Sequence, residues 1–171
     1  MKHTLVIFFL TLCFIAHGQT DNKYNFNISA GLSHCFGASK CTAPEVNFGV
    51  MRNIGKGFSV GAETGLWHYE KNIVPMVARI KYQTEYRLKP YLDMRGGYGF
   101  CTSEKANGGI CLQTNIGIEF NLKKGKSIFI SAGGKYVKFE RLLSYRNDIL
   151  KAETVEILGR KFVCIEAGIN F

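Results

Sequence analysis

The last ten residues of the chain read "FVCIEAGINF" (162–171), and they decide what kind of fold the sequence can adopt. Apolar or aromatic residues at 163, 165, 167, 169 and 171 alternate with a more polar set that includes Glu166, Gly168 and Asn170. A period of two residues is typical of a β-strand with two unlike faces. Chain ends usually fray, so a strand that continues to Phe171 predicts that this end is paired with another strand.

Seven more stretches alternate in the same way, and turn residues or charges bound each of them. They are residues 24–34, 44–51, 57–68, 73–86, 90–100, 109–120 and 127–139. Most have the roughly 9 to 11 residues that a tilted strand needs to cross a bilayer. The sequence therefore predicts an all-β fold, an eight-stranded antiparallel up-and-down barrel in which the last strand closes on the first.

Each of the eight stretches has one apolar face and one polar face. The polar face carries glycines at Gly31, Gly61, Gly65, Gly97, Gly117, Gly133 and Gly168. Alternation alone leaves two barrels open. A soluble lipocalin-like barrel would enclose the apolar face and bind an apolar ligand inside. An outer-membrane barrel would turn the same face towards lipid.

Three features favour the transmembrane barrel. Glycines on the polar face suit a narrow interior with little space for side chains. Carboxylates beside a nearly equal number of cations suit an interior in which charges must be paired. The aromatic residues of the apolar face collect at the strand ends, as do the aromatic girdles of membrane barrels. Eight strands also enclose little volume, so a couple of dozen large apolar side chains would be hard to place inside.

The N-terminal residues "MKHTLVIFFLTLCFIAHG" predict a cleavable signal peptide over 1–18, with the barrel domain over 19–171. The apolar run is too short for a transmembrane helix. The formal net charge is +9, but the basic residues are scattered apart from "NLKKGK". For an exported chain we expect no nucleic-acid partner, and no motif indicates a cofactor.

The predicted connections differ between the two ends of the barrel. "RNIGK", "RLKP" and "NLKKGK" at one end are short, and the connections at the other end are mostly longer. Short periplasmic turns and long external loops are typical of outer-membrane barrels. Segment 140–160 would be the longest external loop, or, since the alternation continues through Val155, Ile157 and Gly159, a hairpin turning near 146–148. Either form could carry a surface partner.

In topology the chain resembles the small eight-stranded outer-membrane barrels of Gram-negative bacteria, the OmpA-like, OmpX-like and OmpW-like group. Its ending "IEAGINF" is similar to the aromatic-ended strand that the barrel assembly machinery recognises; the residues concerned are Ile165, Gly168, Ile169 and Phe171. The resemblance implies an outer-membrane location, contact with outer-membrane lipids, the assembly machinery as a partner, and a monomer.

The polar face predicts a network of buried charges inside the barrel. Its acids are Glu45, Glu63, Glu85, Asp93, Glu119 and Glu166, and its bases are Arg79, Lys81, Arg95 and Lys135. Buried charges are normally paired. We therefore expect a narrow or closed lumen rather than a general porin.

The short turns carry basic residues without an acid among them: Arg52, Lys56, Arg87, Lys89, Lys123, Lys124 and Lys126. At the periplasmic headgroup level such residues could bind anionic phospholipid.

Five cysteines follow the predicted signal peptide, and an exported protein meets an oxidising compartment. Cys35 and Cys41 bracket "FGASK", whereas Cys101 and Cys111 flank one external loop. Disulfides within these two pairs are predicted. Cys164 would be left as a buried inward thiol or as a competitor for Cys35.

The remaining histidines, His34 and His68, fall at the outer ends of their strands. Ser33 adjoins His34, but neighbours in a strand point to opposite faces and cannot form a catalytic dyad. We therefore expect no enzymatic activity and no catalytic or metal-binding residues. The predicted function is structural support of the envelope, surface interaction or passage of very small solutes, with a lipid-modifying enzyme as the least favoured alternative.

Overall fold

The computed structural model describes residues 24–36, 41–69, 72–85, 88–102, 106–122, 125–147 and 150–171. The predicted signal peptide, 1–18, lies outside the described residues. Within these ranges, no helix is long and apolar enough to cross a membrane.

The described residues form eight long antiparallel strands, each hydrogen-bonded to the next along the chain. They are β1 (Tyr24–Phe36), β2 (Thr42–Gly55), β3 (Phe58–His68), β4 (Asn72–Gln83), β5 (Pro90–Cys101), β6 (Gly109–Asn121), β7 (Ser127–Asn147) and β8 (Leu150–Asn170). A two-residue strand, Ala106–Asn107, adds to the outer part of β7.

The sheet closes through pairing of β8 with β1, from Asn27 opposite Asn170 to Phe36 opposite Lys161. The final residue takes part: the Phe171 amide donates to the Phe26 carbonyl at 2.8 Å, and the Phe26 amide donates to the Phe171 carbonyl at 3.3 Å. The predicted eight-stranded barrel, and the pairing of its last residue, are therefore confirmed.

The register of the ladders fixes the strand tilt. We start at Asn170 and pass from each residue to its register partner on the next strand. One circuit of the barrel returns to β8 at Arg160, ten residues nearer the outer end. This stagger corresponds to strands tilted by about 40° from the barrel axis. At that tilt, strands of this length span the apolar core of a bilayer.

The apolar face points outwards. Ile116 is 69% exposed and Leu32 is 57% exposed, whereas Asp93 on the inner face is fully buried. An apolar outer surface around a closed barrel, in which no backbone edge faces lipid, is stable in a bilayer and not in water. The protein is therefore a transmembrane β-barrel, and the alternative of a soluble barrel that encloses its apolar face is wrong.

The predicted contrast between short and long connections is wrong. At the end that holds the termini, which the predicted orientation places in the periplasm, the connections are residues 56–57, 84–89 and 122–126. At the opposite end, the outer end in that orientation, they are 37–41, 69–71, 102–108, which includes the two-residue strand, and 148–149. The segment expected to form the longest loop instead continues β7 and β8, so the outer connections are not longer as a group.

Close packing inside the barrel depends on glycine at two places near the periplasmic end. The ring of Tyr91 lies against Gly117, and the ring of Phe129 lies against Gly168. A β-carbon at Gly117 would come within 2.7 Å of the Ile130 carbonyl oxygen, and one at Gly168 within 2.7 Å of Phe129 Cε1. The small residues therefore make room for the aromatic rings that fill this part of the interior.

Candidate functional site: the barrel interior and the outer hairpin

Arg95, on β5, is the centre of an ion-pair network in the middle of the barrel. Its guanidinium donates to Glu63 at 2.6 Å, to Asp93 at 2.8 Å and to Glu166 at 2.7 Å. These carboxylates come from β3, β5 and β8, so one cation links three strands around the barrel. The side chain of Arg95 is 1% exposed, and its pairing with Glu166 is bidentate, with a second hydrogen bond of 3.0 Å. Such pairing makes a buried cation tolerable.

Arg79, on β4, shares two of the same carboxylates. It donates to Glu63 at 2.8 Å and to Asp93 at 2.9 Å. Glu166 accepts an additional hydrogen bond from the Gln113 side chain at 2.7 Å. Two guanidiniums and three carboxylates thus form one connected cluster, which fills the middle of the lumen.

A second ion pair, Lys135 with Glu45, lies on the outer side of this cluster. Glu45 also accepts hydrogen bonds from the Ser33 hydroxyl and, at 3.1 Å, from the Tyr69 hydroxyl. Tyr69 lies on the connection after β3, where burial, followed by the negative charge of Glu45, raises the pKa of its phenol. The hydroxyl therefore remains a proton donor that holds Glu45 from the outer side.

Above these charges the interior is closed by an apolar plug, defined by Cys35, Trp67, Ile73, Val77, Cys111, Val137 and Phe162. The Trp67 indole donates to Asn47 Oδ1 at 2.8 Å, and the ammonium of Lys135 lies 3.8 Å from the centre of the Trp67 ring system. Tyr69 stacks on Phe162 with ring centroids 4.7 Å apart. Sequence reasoning missed this plug, although Trp67, Ile73 and Val137 share the inward parity of the charged residues.

A third ion pair, Lys81 with Glu119, lies near the periplasmic end. Glu119 accepts further hydrogen bonds from the Ser127 hydroxyl at 2.5 Å and from the Gln83 amide at 2.9 Å. The ammonium of Lys81 lies 4.3 Å from the centre of the Tyr91 ring. Charges near this end are therefore paired as well, and they are the least buried of the three groups.

The structure places nine of the ten predicted network residues inside the barrel, namely Glu45, Glu63, Arg79, Lys81, Asp93, Arg95, Glu119, Lys135 and Glu166. The prediction is wrong for Glu85. The strand expected over 73–86 ends at Gln83, so inward parity does not reach Glu85, whose side chain is exposed. These nine residues are at most 9% exposed, so the charged side chains pack against one another in the interior.

Both predicted disulfides are absent, and no two cysteines in the described ranges lie at disulfide distance. The β5–β6 register places Cys111 opposite Gly97, four residues before Cys101. That offset is about 13 Å along a strand, which a disulfide cannot bridge. Cys35 and Cys41 share a backbone hydrogen bond of 2.9 Å, but the Cys35 thiol turns into the apolar plug towards the Phe36 carbonyl.

His34 and His68 are exposed at the outer rim. His34 Nδ1 lies 3.0 Å from the Thr42 hydroxyl, and His68 Nδ1 lies 2.5 Å from Asn72 Oδ1. Within the described part of the chain, neither ring contacts a carboxylate.

Cations and aromatic rings lie together at the periplasmic rim. Arg52 lies 5.6 Å from the centre of the Tyr24 ring, and Lys126 lies 5.2 Å from that of Phe171. Of the other predicted basic turn residues, Arg87, Lys123 and Lys124 lie outside the described residues. Glu85 adds an acid to this rim, so the rim is less uniformly basic than the sequence indicated.

Strands β7 and β8 continue outwards as a paired hairpin. Beyond Val137 opposite Arg160, ten more residue pairs lead to Asn147 opposite Leu150. Ten pairs correspond to about 33 Å of strand. The hairpin that the sequence offered as one alternative, turning near 146–148, is therefore confirmed, and residues 140–160 are not a loop.

The outer hairpin has a free backbone edge. The β1–β8 ladder ends at Phe36 opposite Lys161, and in the described ranges no strand lies on the side of β8 away from β7 between Leu150 and Gly159. Phe171 directs its amide and carbonyl towards Phe26 on β1, which is the side of β8 that becomes the free edge farther out. Because orientation alternates along a strand, odd-numbered residues of β8 direct their amide and carbonyl groups away from β7.

Comparisons with known proteins agree with this architecture. No protein-family model matches the sequence, and no curated protein is significantly similar to it. Among solved structures, the barrel is similar to the outer-membrane protein AlkL, solved in lipid bilayers, with a TM-score of 0.58 and 10% identity over 90% of this chain and 91% of that one. It is also similar to Neisserial surface protein A, with a TM-score of 0.53 and 16% identity over 86% of this chain and 95% of that one. At these identities the likeness shows the fold, which is that of a small eight-stranded outer-membrane barrel.

Proposed function

We propose that the protein is a non-enzymatic surface-interaction barrel, which anchors the β7–β8 hairpin outside the membrane and presents the free edge of β8 to an extended segment of a partner. The observation that carries this proposal is the ten-pair extension of the two strands beyond the ladders that they form with β1 and β6. A protruding edge with unused amides and carbonyls is a template for the addition of another strand.

The barrel interior supports an anchoring role. Its ion pairs and apolar plug fill the lumen, which argues against a general porin. Exposed histidines without carboxylate contacts lack the orienting group that an acyl-transfer or hydrolytic site would use. Outer-membrane lipids, and the assembly machinery during insertion through the ending at Ile165, Gly168, Ile169 and Phe171, complete the proposed partners of a monomeric barrel.

The sequence of the edge favours a selective partner over general aggregation. Residues 150–159 read "LKAETVEILG", with one lysine and two glutamates among ten residues. Charges on an edge strand oppose pairing with arbitrary apolar strands. A partner segment would therefore need to complement these charges as well as the backbone.

A proline at Val155 tests the edge directly. The amide of this odd-numbered residue faces the free edge, so Val155→Pro removes a donor from that edge while sparing the hydrogen bonds to β7. Val155→Thr is the control, since it keeps the amide. The full-length barrel, folded in detergent, would be used to select binders from a library of biotinylated extended peptides.

We expect peptides that bind the wild type and Val155→Thr but bind Val155→Pro at least about tenfold more weakly, as expected for losing edge hydrogen bonds that no other group replaces. Heat-dependent gel migration of all three proteins would show that the barrel is folded. If every selected peptide binds Val155→Pro as tightly as the wild type, the edge is not the binding surface.

A further inference from the structure

A surface cleft of about 570 Å³ opens in the barrel wall at the outer rim. It is lined by Tyr98, Phe100, Cys101, Asn107, Gly108 and Glu140. From these residues we infer that the cleft binds the ammonium headgroup of a membrane amphiphile, whose hydrocarbon chain lies against the two aromatic rings.

The cleft exists because two parts of the sheet separate. The β5–β6 ladder ends at Gly99 opposite Gly109. Beyond it, Thr102 stays with β4, because its amide donates to the Asn72 carbonyl at 3.1 Å. Asn107 instead pairs with Glu140 on β7. The depression between these two pairings is therefore part of the sheet topology and not the result of one side-chain rotamer.

The lower wall of the cleft is aromatic and faces lipid. Tyr98 and Phe100 are 42% and 48% exposed on the outward face of β5. Their ring centroids are 4.9 Å apart, and the ring planes are inclined by 57°. Two inclined rings offer both an apolar surface for a hydrocarbon chain and negative ring faces for a cation.

Among the described residues that line the upper wall, the charged one is Glu140. This residue has the outward parity of Tyr136 and lies three residues beyond Val137, the last β7 residue paired with β6. In the described part of the chain Glu140 forms no ion pair, and no described cation lines the cleft.

A carboxylate above two aromatic rings attracts an ammonium group and repels a phosphate or sulfate. The cleft is open to its surroundings, and its volume is large enough to hold a trimethylammonium or primary ammonium headgroup. The position of the rings on the lipid-facing side indicates an amphiphile from the membrane and not a free cation from solution.

The test uses the full-length barrel in dodecyl maltoside micelles, with dodecyltrimethylammonium as the probe. Backbone amide shifts of residues 98–101, 107–109 and 138–141 would be followed by NMR as the probe fraction increases. We expect saturable shifts at these residues. Glu140→Gln should raise the half-saturating probe fraction about tenfold, as expected for losing one charge-assisted contact.

Glu85→Gln is the matched control, since it removes an exposed carboxylate at the opposite rim and should leave the half-saturating fraction unchanged. The double variant Tyr98→Leu with Phe100→Leu should weaken binding about threefold or more through loss of the cation–π contacts. If that variant fails to fold, the comparison of Glu140→Gln with Glu85→Gln still decides the question.

Two further probes distinguish a membrane amphiphile from a free cation in solution as the source of the ammonium group. Tetramethylammonium has the headgroup without a chain, and dodecyl sulfate has the chain with the opposite charge. Weak binding of the first, and no saturable shift with the second, are expected. Equal binding of tetramethylammonium and the chain-bearing probe, saturable shifts with dodecyl sulfate, or an unchanged response of Glu140→Gln would overturn the proposal.

Discussion

Replacing Arg95 with methionine is expected to lower the free energy of unfolding by about 3–5 kcal/mol, the range found when one partner of a buried ion pair is removed. Arg95 contacts Glu63, Asp93 and Glu166, and its side chain is 1% exposed. Methionine fills much of the same volume, so the loss reports chiefly on the carboxylates: Glu166 loses its guanidinium partner, and Glu63 and Asp93 keep only Arg79. Urea unfolding of the barrel in lipid vesicles would measure it.

Arg52→Met is the matched control for this variant. Arg52 is exposed at the periplasmic rim and lies over the Tyr24 ring at 5.6 Å. The same substitution there should cost about 1 kcal/mol or less, the value of an exposed cation–π contact. Equal losses for Arg52→Met and Arg95→Met would contradict the central role of the buried network.

A second substitution distinguishes charge from packing. In the Arg95→Met barrel, Glu166 keeps a hydrogen bond from Gln113 but loses its guanidinium partner. Glu166→Gln removes this uncompensated charge, so the double variant should regain part of the lost stability. If the changes in the free energy of unfolding caused by Arg95→Met and Glu166→Gln simply add in the double variant, the two residues do not interact.

Replacing Trp67 with alanine is expected to destabilise the barrel by about 3–5 kcal/mol, as large-to-small changes in a packed core do. Trp67 is 1% exposed, covers the ammonium of Lys135 and donates to Asn47 Oδ1. The substitution therefore leaves a cavity, a less shielded cation and an acceptor without its donor. Trp67→Phe retains most of the ring and should cost less, about 1–3 kcal/mol for the unsatisfied acceptor.

Phe48→Ala is the control for the plug. Phe48 is 50% exposed on the outward face, so its removal empties no cavity inside the barrel. Its loss should not exceed about 2 kcal/mol, the transfer free energy of a partly buried aromatic side chain. Unfolding in urea again provides the comparison, and a larger loss for Phe48→Ala than for Trp67→Ala would argue against a packed interior plug.

The alternation of residues was sufficient to predict the barrel and the residues that face its lumen. Period-two patterning follows directly from a strand between lipid and a polar interior, which is why Arg79, Arg95 and Glu166 were assigned correctly. Parity carries information only within a strand, and this is why Glu85, two residues beyond the end of β4, was misplaced.

Other features depend on register, which a single sequence does not reveal. The predicted Cys101–Cys111 disulfide required the two residues to lie opposite each other, but the ladder places Cys111 opposite Gly97. The ends of β7 and β8 were hard to predict because strands outside the membrane are not required to keep one apolar face. The plug was missed because Trp67 and Phe162 are apolar residues at inward positions, where the pattern predicts polar ones.

Trp67 also provides the most direct measurement of the central claim, because it is the sole tryptophan of the chain. Its fluorescence would be recorded with the barrel in vesicles, against iodide in the water phase and against lipids brominated along their acyl chains. A closed lumen with Trp67 inside predicts that neither quencher reduces the emission appreciably until the barrel is unfolded. Strong quenching by iodide would mean an open lumen, and strong quenching by brominated lipid would mean that the two faces of the barrel are reversed.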